Sequence, residues 1–114
     1  MFIQNGELVI YAHRMNGDGS LIQLTKIWHG PLRRGTWQDL RFHIKWSGSD
    51  SVGYVEFWVN GTRQTFDDGT QRRMIRTLQP GFSSYMKQGY YRTGGTAGNG
   101  VVYHDGLRIT NALG

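Results

Sequence analysis

The residues best suited to acid–base chemistry lie in one short stretch, 85-YMKQGYYR-92. Side chains alternate across a β-strand, so Lys87 and Tyr91 would share one face of a strand formed here. A positioned tyrosine can donate or accept a proton in a reaction. The stretch therefore predicts either an ordinary strand with a half-buried tyrosine or the catalytic strand of an enzyme.

A second set of ionisable residues lies in 37-WQDLRFHIKWS-47. Alternation places Arg41, His43 and Lys45 on one face of this strand and its apolar residues on the other. In 54-YVEFWV-59 the same rule separates Glu56 and Trp58 from the apolar side. These residues are predicted to line one groove.

The pattern around these segments predicts strands joined by glycine turns. The chain of 114 residues contains 17 Gly, only 2 Pro and 13% aromatic residues, a composition that favours strands. Six strands are predicted, with a hairpin turn at Asn60-Gly61: 7–14, 21–29, 37–47, 53–66, 84–92 and 101–110. The stretch 70–80 is predicted to be a long loop with a turn of helix. The expected fold is all-β, an antiparallel jelly-roll or concanavalin-like sandwich, in a single domain over 1–114.

The charge of the chain indicates an anionic partner. The formal net charge is +5 and most of the 13 basic residues are arginine, which suits the binding of carboxylate or phosphate. The absence of cysteine excludes a disulfide framework and a thiol nucleophile. No apolar run reaches the length of about 20 residues that spans a bilayer. The N-terminus lacks a signal-peptide pattern, so an extracellular or periplasmic location is expected only if a leader is missing.

No metal site or other cofactor is predicted. His13, His29 and His104 lack the tight spacing of metal ligands. A calcium ion in the turn 67-DDG-69 is the alternative left open, although carboxylates are few there.

The ordered motifs 37-WQDLRFHIKWSGSDSVGYVEFWVNG-61, 85-YMKQGYYR-92 and 101-VVYHDGLRI-109 resemble the β-jelly-roll polysaccharide lyases. The resemblance covers about residues 20–110 and is closest to the glucuronan lyase and heparin lyase I-like group. The stretch 85–92 is also similar to a strand of the alginate lyases. The resemblance implies β-elimination at a uronic acid, in which the C5 carboxylate is neutralised and the C5 proton is removed.

The same resemblance implies roles for individual residues. Tyr91 is the expected catalytic acid, with the role of base also left open for it. Lys87 supports Tyr91 by its charge, and His43 is the expected second proton-transfer group. Six residues are expected to bind the acidic polysaccharide: Arg41, Lys45, Glu56, Trp58, Gln23 and Arg92. Of these, Gln23 is the candidate for neutralising the carboxylate.

Lyases of this fold are usually considerably longer, so the chain resembles their C-terminal part. The resemblance then leaves three alternatives: a fragment, a shortened homologue, or a partial sandwich that self-association, as a homodimer, would complete. A non-catalytic carbohydrate-binding module for acidic glycans is the main alternative function. Nucleic-acid binding is less favoured because the basic residues are scattered, and no membrane partner is expected.

Overall fold

A computed structural model describes residues 1–16, 18, 20–79, 81 and 101–111, except for the side chains of Phe2 and Leu21. The described residues form strands, turns and loops with no helix, arranged in two antiparallel sheets. This confirms the predicted all-β sandwich class. The chain divides into two units, Met1–Ser83 and Ser84–Gly114, and both sheets lie in the first unit.

The first sheet has three antiparallel strands in chain order: β1 (Phe2–Gln4), β2 (Glu7–Met15) and β3 (Leu21–Pro31). Asn5 and Gly6 join β1 to β2 with φ values of 51° and 76°, the left-handed backbone that a two-residue hairpin requires. A bulge lies in β3, where Ile10 is opposite Trp28 but the next residue of β2 is opposite Lys26. Because Ile27 is the extra residue, both Ile27 and Trp28 are buried.

The second sheet is built around β5. Its strands are β4 (Leu40–Lys45), β5 (Tyr54–Val59), β6 (Thr62–Arg63) and β7 (Arg73–Met74). Strand β4 pairs with β5 along its full length, while β6 and β7 pair with opposite ends of β5. Asn60 and Gly61 have φ values of 49° and 81°, so the predicted hairpin at Asn60-Gly61 is confirmed.

One apolar cluster lies between the two sheets. Phe57 of β5 is fully buried, and its ring lies 4.8 Å from that of Trp28 in edge-to-face geometry and 4.5 Å from that of Phe42 in a stacked geometry. The buried members are Leu8, Ile10, Ile27, Trp28, Val55, Phe57 and Phe66. Burial of each large apolar side chain stabilises the fold by roughly 1.5–3 kcal/mol. The backbone N–H of Asp67 also donates to the carbonyl of Ile27 at 2.9 Å, which links the end of the hairpin to the first sheet.

The structure corrects several predicted boundaries. The strand predicted over 37–47 begins only at Leu40, because its partner β5 ends at Val59. The helical turn predicted within 70–80 is wrong over 70–79, where the chain forms β7 instead. After β7, the side chain of Thr77 fixes the chain to the end of β4. Its Oγ1 donates to the carbonyl of Lys45 at 2.6 Å and accepts from the N–H of Ser47.

The last predicted strand is also wrong. Residues 101–110 contain no strand, and Gly106 has a φ of 66°, which is incompatible with a continuous extended backbone. Its apolar side chains, including Val101 and Ile109, are exposed. The strand predicted over 84–92 lies outside the described residues.

Candidate functional site

The candidate site is the face of the second sheet that points away from the core, here called the polar face. Three cross-strand pairs of β4 and β5 form it, and it consists of Arg41 opposite Trp58, His43 opposite Glu56, and Lys45 opposite Tyr54. Directly opposed residues of antiparallel strands have Cβ atoms about 4.5–5.5 Å apart. The structure therefore brings together five of the residues that alternation placed in one groove.

Glu56 lies at the centre of the polar face, with only 4% of the residue exposed. Its Oε1 atom is 2.8 Å from Nδ1 of His43, and its Oε2 accepts a hydrogen bond from Nη2 of Arg63. Arg72 approaches more distantly, with Nη2 3.4 Å from Oε1. These four residues are called the Glu56 cluster below. They connect β4, β5, β6 and the segment that precedes β7.

The electrostatic surroundings keep Glu56 ionised. Burial raises the pKa of this carboxyl, but the hydrogen bond with His43 and the positive charges of Arg72 and Arg63 together outweigh burial. The pKa of Glu56 therefore lies below its usual value. An ionised carboxylate only accepts hydrogen bonds, so Nδ1 of His43 carries the hydrogen and Nε2 is the basic nitrogen when the ring is neutral.

Trp58 provides an aromatic ring between two cations. The guanidinium carbon of Arg41 lies 5.2 Å from the ring centroid, and that of Arg63 lies 5.8 Å away. Both are within the range of cation–π attraction. The arrangement combines a flat apolar surface with positive charge, which suits a sugar ring that carries a carboxylate.

Tyr54 forms a second aromatic contact of the polar face. The guanidinium carbon of Arg72 lies 4.2 Å from its ring centroid, and the ring of His43 is edge-on at 5.5 Å. Tyr54, Arg63 and Arg72 are not among the predicted site residues. Alternation places Tyr54 with Glu56, and a two-residue turn at 60–61 places Arg63 opposite Trp58, so both were detectable. No pattern indicated Arg72, which follows an irregular loop.

The remaining predicted site residues lie elsewhere. Gln23 belongs to β3 of the first sheet, opposite Arg14, and is not part of the polar face. It lines a cleft of about 320 Å³ together with Arg14, Asp50 and Arg76, in which Arg14 forms an ion pair with Asp50. Tyr91, Lys87 and Arg92 lie outside the described residues.

A second histidine–carboxylate pair lies on the first sheet. Nδ1 of His29 is 2.9 Å from Oε2 of Glu7, and both side chains are about half exposed. His29 is opposite Val9 in the register. Because side chains alternate along β2, this pair lies on the other face of the sheet from the core residues Ile10 and Leu8. The spacing of the histidines in the sequence bears only on metal binding by His29 and does not indicate this pairing.

The described residues contain no cluster of three His, Cys, Asp or Glu side chains that could hold a metal ion. In the turn considered for calcium, the carboxylate of Asp68 accepts hydrogen bonds from the N–H and hydroxyl of Thr70 and pairs with Arg73 at 3.5 Å. Over the same described ranges, no helix is long and apolar enough to cross a membrane.

Comparison with known proteins identifies the family. The described residues form an all-β sandwich, and a family model described as polysaccharide lyase matches residues 1–108. The chain therefore belongs to the polysaccharide lyase family. No curated protein and no solved structure matches it.

Proposed function

We propose that this protein cleaves an acidic, uronate-containing polysaccharide by β-elimination. Membership of the polysaccharide lyase family supports lyase chemistry. The observation that carries the substrate class is the polar face, where four cationic side chains surround one histidine and two aromatic rings. These cations are Arg41, Lys45, Arg63 and Arg72. Clustered positive charge on a site attracts an anionic polymer and holds its carboxylates.

The reaction would proceed as follows. A cationic side chain pairs with the C5 carboxylate and makes the C5 proton more acidic. Nε2 of His43 accepts that proton, the electron pair forms the C4–C5 double bond, and the C4–O bond breaks. The departing oxygen is protonated, so one unsaturated uronate end and one new hydroxyl end are formed.

Roles for the other predicted residues remain part of the proposal. Tyr91 is the proposed donor of the proton to the departing oxygen, Lys87 is the proposed supporting charge, and Arg92 is a proposed substrate-binding residue. Trp58 would stack on a sugar ring. The motifs of 37–61 and 85–92 favour the glucuronan lyase and heparin lyase I-like group as the nearest subgroup, and an extracellular or periplasmic location would suit a polymeric substrate.

The test is a panel of glucuronan, alginate, heparin and hyaluronan, with product followed by the ultraviolet absorbance of the unsaturated uronate. The matched variants are His43→Gln and His29→Gln, since each histidine pairs with a glutamate but on a different sheet. The proposal expects activity to be lost in His43→Gln and retained in His29→Gln. Loss in His29→Gln alone would place proton transfer on the first sheet, and no product from any polymer would refute the lyase.

A binding module for acidic glycans is the second candidate. The row Arg41–Trp58–Arg63 favours it, because an aromatic ring between two cations binds an anionic sugar without any chemistry. In that case the wild-type protein binds heparin or glucuronan but releases no product, and Trp58→Ala abolishes the binding.

Self-association is a further part of the proposal. Within the described residues β4 is an edge strand of its sheet, and Leu40, Phe42 and Trp46 on or beside it expose apolar surface. A second copy would cover this edge. Sedimentation equilibrium should give the mass of a dimer, and a monomer at all concentrations would remove this part of the proposal.

A further inference from the structure

We infer that Glu56 is the positioning residue of the polar face, which sets the tautomer of His43 and the orientation of Arg63 and Arg72. The inference rests on the proposed function for its consequence in catalysis. The positioning itself rests on geometry. Three partners from three different parts of the chain converge on the two oxygens of one carboxylate.

The burial of Glu56 favours a positioning role over the direct binding of substrate that the sequence suggested for this residue. A residue with 4% exposure and both oxygens engaged has no surface on which to bind a sugar hydroxyl. By contrast, the side chains of Arg63 and Arg72 are 39% and 52% exposed, and that of His43 is 29% exposed. The groups that Glu56 holds are therefore the ones that a substrate can reach.

The charge balance of the cluster leaves it attractive to anions. One carboxylate opposes two guanidinium groups, so the cluster keeps a net positive charge even with neutral His43. Each guanidinium has five N–H donors, and the contact with Glu56 uses Nη2 of each arginine. Arg63 also donates to the carbonyl of Gln71 at 3.3 Å. The donors that remain on the exposed arginines are available to a uronate carboxylate.

The orientation of His43 depends on the same carboxylate. Neutral imidazole in water favours the tautomer with hydrogen on Nε2. In that tautomer Nε2 is a donor and cannot accept a proton from a substrate. The carboxylate of Glu56 selects the opposite tautomer by accepting from Nδ1. Nε2 is then the acceptor that proton abstraction requires.

The test uses Glu56→Gln and reads the tautomer directly. Nitrogen-15 NMR of the histidine side chains distinguishes hydrogen on Nδ1 from hydrogen on Nε2. The wild-type protein should show His43 with hydrogen on Nδ1. In Glu56→Gln the one amide oxygen faces the donors of Arg63 and Arg72, so the amide nitrogen donates to Nδ1 and the population should move toward hydrogen on Nε2. Glu7→Gln, which alters the other histidine pair, should leave the His43 signals unchanged. This readout needs no turnover, so it tests positioning even if the proposed lyase activity fails.

Kinetics on a cleaved polymer provide the second readout. If His43 is the base, Glu56→Gln should lower kcat roughly 10²–10⁴-fold, the range that general base catalysis contributes, with a smaller change in KM. Unchanged His43 signals in Glu56→Gln would overturn the inference. Shifted His43 signals together with wild-type kcat would uphold the positioning role of Glu56 and refute His43 as the catalytic base. If Glu56→Gln fails to fold, the variant Glu56→Leu/Arg63→Gln/Arg72→Gln carries no unpaired charge in the cluster and offers Nδ1 of His43 no acceptor at position 56, so it should show the same shift toward hydrogen on Nε2.

Discussion

The Glu56 cluster should respond unequally to the loss of its two arginines. The variants are Arg63→Gln, Arg72→Gln and the double variant. Each replaces a positively charged side chain beside the buried carboxylate of Glu56 with a neutral one. Arg63 makes the direct hydrogen bond to Oε2, whereas Arg72 lies at the longer distance of 3.4 Å and is about half exposed. The two single variants therefore remove interactions of different strength.

The expected magnitudes follow from burial. A hydrogen bond to a charged group contributes about 1.5–3 kcal/mol, which is the loss expected for Arg63→Gln. A partly exposed ion pair contributes about 0.2–1 kcal/mol, which is the loss expected for Arg72→Gln. The double variant leaves Glu56 buried with only His43 as a partner, and breaking a buried pair in this way costs about 3–5 kcal/mol. The loss in the double variant should therefore exceed the sum of the losses in the two single variants.

Urea unfolding, followed by tryptophan fluorescence, measures these free energies. The decisive control adds Glu56→Gln to the double variant, because a neutral amide does not need a cation. Stability should then recover by a large part of the loss. Equal losses in the two single variants, or no recovery on adding Glu56→Gln, would refute the assignment of Glu56 as a buried ionised carboxylate held mainly by Arg63.

Three further outcomes are expected. Phe57→Leu should lower the free energy of unfolding by about 1–3 kcal/mol, because it removes aromatic contacts from a fully buried position. The exposed control Val52→Ala should change that free energy by no more than about 0.5 kcal/mol. Equal effects of the two variants in urea titrations would contradict a core shared by the two sheets. The lowered pKa of Glu56 means that its stabilisation is complete above about pH 4.3, the usual glutamate pKa, and is lost as pH falls through the lower folded-state value. Acid unfolding of Glu56→Gln should lack this component, and identical acid profiles would contradict it. Trp58→Leu should weaken heparin binding in calorimetry more than Trp37→Leu does. Trp37 is the control because it is also a tryptophan but lies before β4, outside the polar face. An equal loss of binding in the two variants would argue against the Arg41–Trp58–Arg63 row as the binding surface.

The sequence predicted the sheet elements that carry the polar face. Alternation in β4 and β5 placed His43 and Glu56 on one side, and the Asn60-Gly61 turn fixed the register of the hairpin. Both signals are local, because they depend only on strand periodicity and on backbone conformation at two residues. The fold class was predictable for the same reason.

Features that depend on long-range packing were not predictable. The burial of Glu56 results from the convergence of Arg63 and Arg72, and Arg72 reaches it only after an irregular loop. The pairing of His29 with Glu7 requires the register of β2 and β3, which includes a bulge at Ile27. For residues 101–110 the sequence predicted a strand that the structure does not contain. Their apolar residues suggested the strand, but Gly106 adopts a positive φ.

We propose that the polar face carries out β-elimination through His43. The most direct measurement is the mass of the oligosaccharides released from glucuronan by wild type and by His43→Gln. Wild type should release products whose new non-reducing ends are lighter by one water than those of hydrolysis products, and folded His43→Gln should release no such products. Hydrolytic masses, or unsaturated products formed at the wild-type rate by His43→Gln, would contradict it.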